Sequence, residues 1–230
     1  MVPAIGGVTV DDVTSTWTVI VAAGSGSRFG GPKQYELLGD RRVIDWSVGA
    51  AREVSDGVVV VVDEGHVGID AGADAVVVGG SSRSASVRNG LAALPDGCDV
   101  VVIHDAARPG ATPAVFQRVI AAVRGGATAA VPGVAMVDTV KEVGVVDDAG
   151  DRSVVATLDR SSLVSVQTPQ AFRRRALEAA HATGADATDD AALIEQDGGT
   201  VLVVNGEASA HKITSQVDLA VVAVVMGLGR

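Results

Sequence analysis

The sequence predicts one α/β domain built on a mainly parallel sheet with helices on its faces. Three observations carry this. Short Val-rich runs alternate along the chain with segments of helical period. Apolar residues make up 47% of the chain while aromatics make up only 3%. Glycine-rich stretches follow the apolar runs where a strand would hand over to a helix. A core of Val, Ala, Leu and Ile in short continuous runs suits strands buried on both faces. Strand–helix alternation implies parallel pairing through right-handed crossovers.

The runs "WTVIVA" (17–22), "GVVVVVD" (57–63), "DAVVV" (74–78), "CDVVVIHD" (98–105), "ATAAV" (127–131) and "TVLVVN" (200–205) are too short for helices and rich in β-branched Val, so they read as strands. Between them "RRVIDWSVGAAREV", "RSASVRNGLAAL" and "TPAVFQRVIAAVRG" carry helical spacing, the last opened by a Thr-Pro start signal. The stretch from Val134 to Val166 breaks this rhythm: two extended segments flank the turn-like "VDDAGD" and read as a β-hairpin arm. Such an arm is either a surface hairpin or a dimerisation device. "TGADATDD" (183–190) reads as a polar loop whose Thr188 or Asp189 caps the helix that follows. Residues 1–15 show no period and are expected to form a mobile leader, with residues 16–230 as one domain.

Composition narrows the function. A net charge of −10 argues against a nucleic-acid binder, which carries a basic stripe on a basic domain. No apolar run approaches the roughly 20 residues of a membrane span, and no secretory signal is visible. One cysteine, Cys98, excludes an internal disulfide and leaves a reduced, cytoplasmic setting as the expectation. His66, His104, His181 and His211 show no metal-ligand spacing, and no G-x-S-x-G elbow accompanies the serines.

In an open α/β sheet ligands bind outside the carboxyl ends of the strands, and three stretches fall there. "VIVAAGSGSRFGGPKQ" (19–34) presents backbone N–H groups with Arg28 and Lys33 close by, a setting for anions. It fits neither common nucleotide signature: Phe29 replaces the third glycine of G-x-G-x-x-G, and Lys33 lies between Pro32 and Gln34 instead of in Gly-Lys-Ser/Thr. "GGSSRSASVRNGL" (79–91) is either a second anion cradle or a helix start capped by Ser81 or Ser82. "VVVIHDAARPG" (100–110) ends a buried strand on Asp105, a carboxylate able to hold a metal, hold a ribose hydroxyl or cap the next turn. Of eighteen basic residues only Lys33, Lys141 and Lys212 are lysines. A compact ammonium does what an arginine fork cannot, so these three stand out.

"AAGSGSRFGGPKQ", "GGSSRSASVRNGL", "HDAARP", "DTVKE", "QTPQAF", "TDDAALIE" and "HKIT..VDL" follow one another in an order that resembles the 2-C-methyl-D-erythritol 4-phosphate cytidylyltransferases, from Trp17 almost to the end. The resemblance implies a Rossmann-like nucleotidyltransferase fold with a protruding β-hairpin dimerisation arm. It implies transfer of CMP from CTP to methylerythritol phosphate with release of pyrophosphate, a Mg²⁺ requirement, and a homodimer. By motif, Ala22, Ala23 and Gly24 would approach cytosine and ribose, with Gly80, Arg83 and Ser86 completing the CTP pocket. Asp105 and Arg108 would lie between nucleotide and acceptor, and Thr139 and Thr168 would touch the acceptor. Arg28 and Lys33 resemble the pair that stabilises the transition state. Lys212 and Arg160 resemble the pair that positions the acceptor phosphate, Arg160 reaching the neighbouring subunit's site. All three lysines fall inside these motifs. Two departures stand out: Val21 replaces the usual Pro, and only "FGGP" separates Arg28 from Lys33, a shorter loop than in many relatives.

The chemistry implied needs no general base, because a phosphate monoester is already anionic near neutral pH. Its difficulty is charge: the acceptor must meet a triphosphate, and Mg²⁺, held mainly through substrate phosphates, would act with Arg28, Lys33 and Lys212 to neutralise the repulsion. Alternative readings are a cytidylyltransferase for another polyol phosphate such as ribitol 5-phosphate, an NAD-dependent oxidoreductase, which Phe29 disfavours, and a nucleotide-binding regulator without catalysis.

Overall fold

The computed structural model describes residues 15–229 apart from 70 and 149, so the expected leader lies outside the described residues except for Ser15. In chain order the elements are β1 (Ser15–Val21), β2 (Leu37–Leu38), β3 (Arg41–Arg42), α1 (Val43–Arg52), β4 (Gly57–Val62), β5 (Ala75–Val78), α2 (Arg83–Ala92) and β6 (Cys98–Asp105). There follow α3 (Pro113–Arg124), β7 (Ala129–Ala135), β8 (Lys141–Val146), β9 (Arg152–Thr157), β10 (Val164–Val166), β11 (Gln170–Arg173), α4 (Arg174–His181), α5 (Asp190–Gln196), β12 (Val201–Asn205) and α6 (Gln216–Val225).

The main sheet has eight strands in the order β10-β7-β11-β6-β1-β4-β5, with β12 on β7. β6, β1, β4 and β5 run parallel, as do β7 and β12, while β11 is antiparallel to both neighbours. The chain moves from β1 outward to β4 and β5, then returns through α2 to the other side of β1. That reversal puts a topological switch at β1, beside β6, where α/β sheets bind ligands.

The Val-rich runs explain the two-sided core. Side chains alternate across a strand, so Ile20, Val58, Val60, Val62, Val100 and Val102 face one layer with Phe116, Val119 and Ile120 of α3 and Ile44 and Val48 of α1. Their neighbours Val19, Val59, Val61, Val101 and Ile103 face the other, with Val87 and Leu91 of α2, Leu177 of α4 and Leu193 and Ile194 of α5. Gly90 of α2 is a close approach: a Cβ there would lie 2.4 Å from Val19 Cγ1. Cys98 is buried, and burial pushes its thiol up to about 11, which removes it from nucleophilic chemistry at neutral pH.

Two expectations shift. The arm is narrower than 134–166: β8 and β9 form the antiparallel hairpin, whereas β7 reaches Ala135 and β10 joins it in the main sheet. The helix expected from residue 41 begins at Val43, because Arg41 and Arg42 pair with Leu37 and Leu38 as a small hairpin. β11 carries no sequence signal of its own. It is a four-residue segment beside Pro169, and it becomes a strand because it fills the gap between β6 and β7.

Candidate active site

Hydrogen-bond register brings the loops after β1, β5 and β6 to one rim. Val21 lies opposite Asp105, the Ala22 N–H donates to Val61 O at 2.7 Å and the Gly79 N–H to Val62 O at 2.7 Å. A cleft of about 440 Å³ opens there, walled by Ala22, Ala23, Gly24 and Lys33 on one side and Gly80, Arg83 and Ser86 on another, with Asp105 and Lys212 also lining it.

The first loop is built on a turn only glycine can make. Gly26 has φ +65° and accepts the N–H groups of Phe29, Gly30 and Gly31 on its carbonyl. A Cβ there would fall 1.8 Å from Gly31 O. Gln34, buried, braces the loop from within, its Nε2 donating to Ala22 O at 2.7 Å and Gly24 O at 3.0 Å. Gly26→Ala is therefore expected to leave the sheet folded while lowering any catalytic efficiency of this cleft on the order of 10²-fold, the cost of misplacing reacting groups by about 1 Å. Steady-state kinetics beside a thermal melt check this, and a melt that collapses with the activity would speak for a folding role instead.

Phe29, which stands where the dinucleotide fingerprint would have glycine, is an anchor. It packs with Leu38, Val43, Ile213 and Val222 in a third small core. Arg28 precedes Phe29 and Lys212 precedes Ile213, so one apolar cluster seats two of the predicted cations, and Lys33 lies between Phe29 and Leu38 in the chain. Burial lowers the Lys33 pKa, and the charges of Lys212 and then Arg28 lower it further. The short "FGGP" connection thus still brings the three cations within range of one another. Asp105 and Asp218 offset part of that repulsion at Lys33.

The second loop is both a helix start and part of the cleft. Ser82 caps α2, its Oγ accepting from the Ala85 N–H at 3.1 Å. Ser86 Oγ accepts from the Gly80 N–H at 3.1 Å and donates to Ser82 O at 2.9 Å. Gly79 permits close approach of the two loops, since a Cβ there would lie 2.4 Å from that of Ala23.

Asp105 is the electrostatic centre. Lys212 Nζ donates to its Oδ2 at 2.6 Å and Arg83 Nε to its Oδ1 at a long 3.4 Å. Burial alone would raise its pKa; Arg83 and then Lys212 overcome that and hold the carboxyl well below the usual range. His104 beside it is fully buried and pushed down to about 3 by that burial, so it is neutral at pH 7.

A second cavity of about 210 Å³ adjoins the cleft, lined by Arg108, Gln167, Thr168 and Gln170 and by Thr188 and Asp189. It shares Arg83, Asp105 and Lys212 with the first. Thr168 Oγ1 accepts from the Asp105 N–H at 3.0 Å and lies 3.1 Å from His104 Nδ1, which pins this wall to the end of β6. Arg108 Nη1 donates to Ala210 O at 2.8 Å. Asp189, one of the two residues expected to cap the helix there, does cap α5.

Arg28 is exposed at the rim. Arg160 and Thr139 are exposed near the base of the arm, where Arg160 Nη1 donates to Val137 O; neither lines the two cavities. Lys141 lies in the arm, its Nζ donating to Thr157 Oγ1 at 2.5 Å across the hairpin. Sequence reasoning missed Gln34, Gln167 and Gln170 as site-forming residues, and Thr188 beyond a capping role, although all four lie within or beside motifs it singled out.

Comparison with known proteins gives the family. A sequence model of 2-C-methyl-D-erythritol 4-phosphate cytidylyltransferase matches residues 16–227. A protein of that name from Streptomyces avermitilis is 42% identical over 232 residues, covering 94% of this chain and 93% of the relative. The "Bifunctional enzyme IspD/IspF" of Clavibacter michiganensis is 45% identical over 219 residues. This chain spans about half the length of that bifunctional relative, 52% of it, while 87% of the chain is matched. Among solved structures, the 2-C-methyl-D-erythritol 4-phosphate cytidylyltransferase of Thermus thermophilus superposes with a TM-score of 0.76 at 31% identity, covering 90% of this chain and 97% of that one. The 4-diphosphocytidyl-2C-methyl-D-erythritol synthase of Anaerococcus prevotii gives 0.79 at 29% identity, covering 94% and 100%. With a family match over nearly all the described residues and a cleft built from the same motifs, the chain belongs to the 2-C-methyl-D-erythritol 4-phosphate cytidylyltransferase family, a family of nucleotidyltransferase enzymes.

Proposed function

We propose that this chain transfers the CMP moiety of CTP to the phosphate of 2-C-methyl-D-erythritol 4-phosphate, the nucleotide held in the larger cavity and the acceptor in the smaller. The observation that carries this reading is the shared wall: Arg83, Asp105 and Lys212 border both cavities, so the two substrates meet there. In that pose Ala22, Ala23 and Gly24 and the Gly80–Ser86 loop hold base and ribose. Arg28 and Lys33 face the triphosphate, and Arg108, Thr168 and Lys212 face the acceptor.

The acceptor's phosphate oxygen attacks the α-phosphorus of CTP, a new P–O bond forms as the bond to the β-phosphate bridge breaks, and pyrophosphate leaves with that electron pair. No proton need be removed from the nucleophile. The residues supply alignment and positive charge, and their charge acts where water is partly excluded. Mg²⁺ suits this site through its donor chemistry: it binds through one or two carboxylates plus substrate phosphates, and Asp105 is an ionised carboxylate at the place where those phosphates would lie. When bound, it would neutralise phosphate charge.

The working unit is a homodimer in which the arm crosses to the neighbouring subunit, delivering Arg160 and Thr139 to its acceptor cavity. Two features support this. Those residues face solvent on their own chain, and the arm carries exposed valines, Val145 at 91% and Val155 at 64% among them, which an isolated hairpin would leave in water. Among the described residues no helix is long and apolar enough to cross a membrane.

Pyrophosphate release by the purified chain with CTP and Mg²⁺ tests the reading, with methylerythritol 4-phosphate and ribitol 5-phosphate as rival acceptors. Release only with the former is expected. Release only with ribitol phosphate would move the chain to another acceptor on the same mechanism, and silence with both would favour a regulator without catalysis.

A further inference from the structure

Behind Arg83 lies a pair of buried groups that the reaction above does not use. Asp190, the first residue of α5, is 0% exposed. Its Oδ2 accepts from Arg83 Nη1 at 2.8 Å, and its Oδ1 lies 3.0 Å from Nε2 of His181, itself 2% exposed. A carboxylate can only accept, so that His nitrogen carries the proton and donates. On the far side, Arg83 Nε reaches Asp105 only at 3.4 Å, while Lys212 holds Asp105 at 2.6 Å. The five groups form one continuous line from α4 to the site.

Two physical facts single out this arrangement. Arg83 is the first residue of α2, the end of a helix where a cation is disfavoured. Burying an ion pair seldom adds net stability over an apolar pair of the same shape. What the ionic pair does, and an apolar pair could not, is choose between two carboxylates for one guanidinium. With Nη1 committed to Asp190, Arg83 stays at the junction of the two cavities and Asp105 stays with Lys212. Without that hold, only the pull of Lys212 on Asp105 competes with closure of the 3.4 Å contact into a full Arg83–Asp105 pair.

We propose that Asp190, oriented by His181, is a positioning residue for the nucleotide: it keeps Arg83 at the shared wall and its contact with Asp105 long. The inference rests on the cytidylyltransferase reading of the site.

The test is steady-state kinetics of Asp190→Asn, His181→Leu and His181→Gln on the full chain, varying CTP at saturating acceptor and the reverse, with a thermal melt of each. Loss of a hydrogen bond between charged groups predicts a rise of about tenfold or more in KM for CTP in Asp190→Asn, with a smaller change in KM for the acceptor. His181→Leu should move the same way by less, and His181→Gln, whose amide can still donate to Asp190, should recover toward wild type. A merely structural role would lower the melting temperature of both His181 variants without this split between substrates. Folded Asp190→Asn with a wild-type KM for CTP overturns the proposal, and so, for His181, does a Gln variant no better than Leu. Should Asp190→Asn not fold, the Leu and Gln pair decides alone. The wild-type chain is assayed first: if it releases no pyrophosphate from CTP, the functional reading fails and this inference with it, whereas an active wild type beside an indifferent Asp190→Asn sinks only the inference.

Discussion

Lys33→Ala and Lys212→Ala are each expected to keep the fold and lose roughly 10²–10³-fold in kcat, the scale of removing one preorganised transition-state donor, roughly 2.7–4 kcal/mol. The two lysines are neighbours in charge, since Lys212 is the largest charged contributor to the lowered pKa of Lys33. Removing Lys33 relieves that repulsion, and removing Lys212 leaves Asp105 still facing Arg83, which is why the fold should survive either change. Their signatures should differ. Lys33 lines the larger cavity alone, so its loss should raise KM for CTP; Lys212 borders both, so its loss should weaken the acceptor as well. Lys212→Ala also frees Asp105 for a closer pair with Arg83, and an Arg in place of Lys212 should rescue poorly because a fork does not replace a point charge. Pyrophosphate-release kinetics together with far-UV circular dichroism check both variants. Wild-type turnover in either would remove that lysine from the mechanism.

Mixing an Arg160→Ala chain with an Arg28→Ala chain is expected to restore activity that neither has by itself. If the arm crosses a two-fold interface, each site is assembled from the core of one subunit and the arm of the other. In the mixed dimer one site then receives both defects and the other receives neither. With random exchange half the dimers are mixed and each has one working site, so recovery should approach about a quarter of wild-type activity by symmetry. The experiment needs the two chains unfolded and refolded together, or co-expressed with different tags. Full failure to complement would mean that Arg160 serves its own chain's site, or none. The geometry makes the own-chain alternative costly: Arg160 is engaged with Val137 O at the arm's base and lines neither cavity.

Much of the fold was legible because it rests on local rules. The six Val-rich runs became six strands of the main sheet, and "CDVVVIHD" became β6 with the same ends. In such runs period-2 alternation, β-branching and short length all point one way. Helix starts were legible where a cap is written in the chain, as with Pro113 after Thr112 and Asp189 before α5. β11 was not, because "QAFR" has no pattern that distinguishes it from loop; its partners β6 and β7 make it a strand. The arm was visible as an interruption, but where it leaves the sheet depends on how far β7 and β10 pair.

The site divides in the same way. Glycines and cations could be read as an anion loop from residue type and order, since Gly26 must turn at positive φ and a lysine in a lysine-poor chain attracts notice. Residue order also carried the resemblance that tied Asp105, Arg83 and Lys212 to one chemistry. Distances of 107 residues along the chain, from Asp105 to Lys212 and from Arg83 to Asp190, carry no local signal. Register across the sheet and the packing of Phe29 against Ile213 set which carboxylate meets which cation. Those contacts, made only when the chain closes on itself, are what turn three loops into two cavities with a common wall.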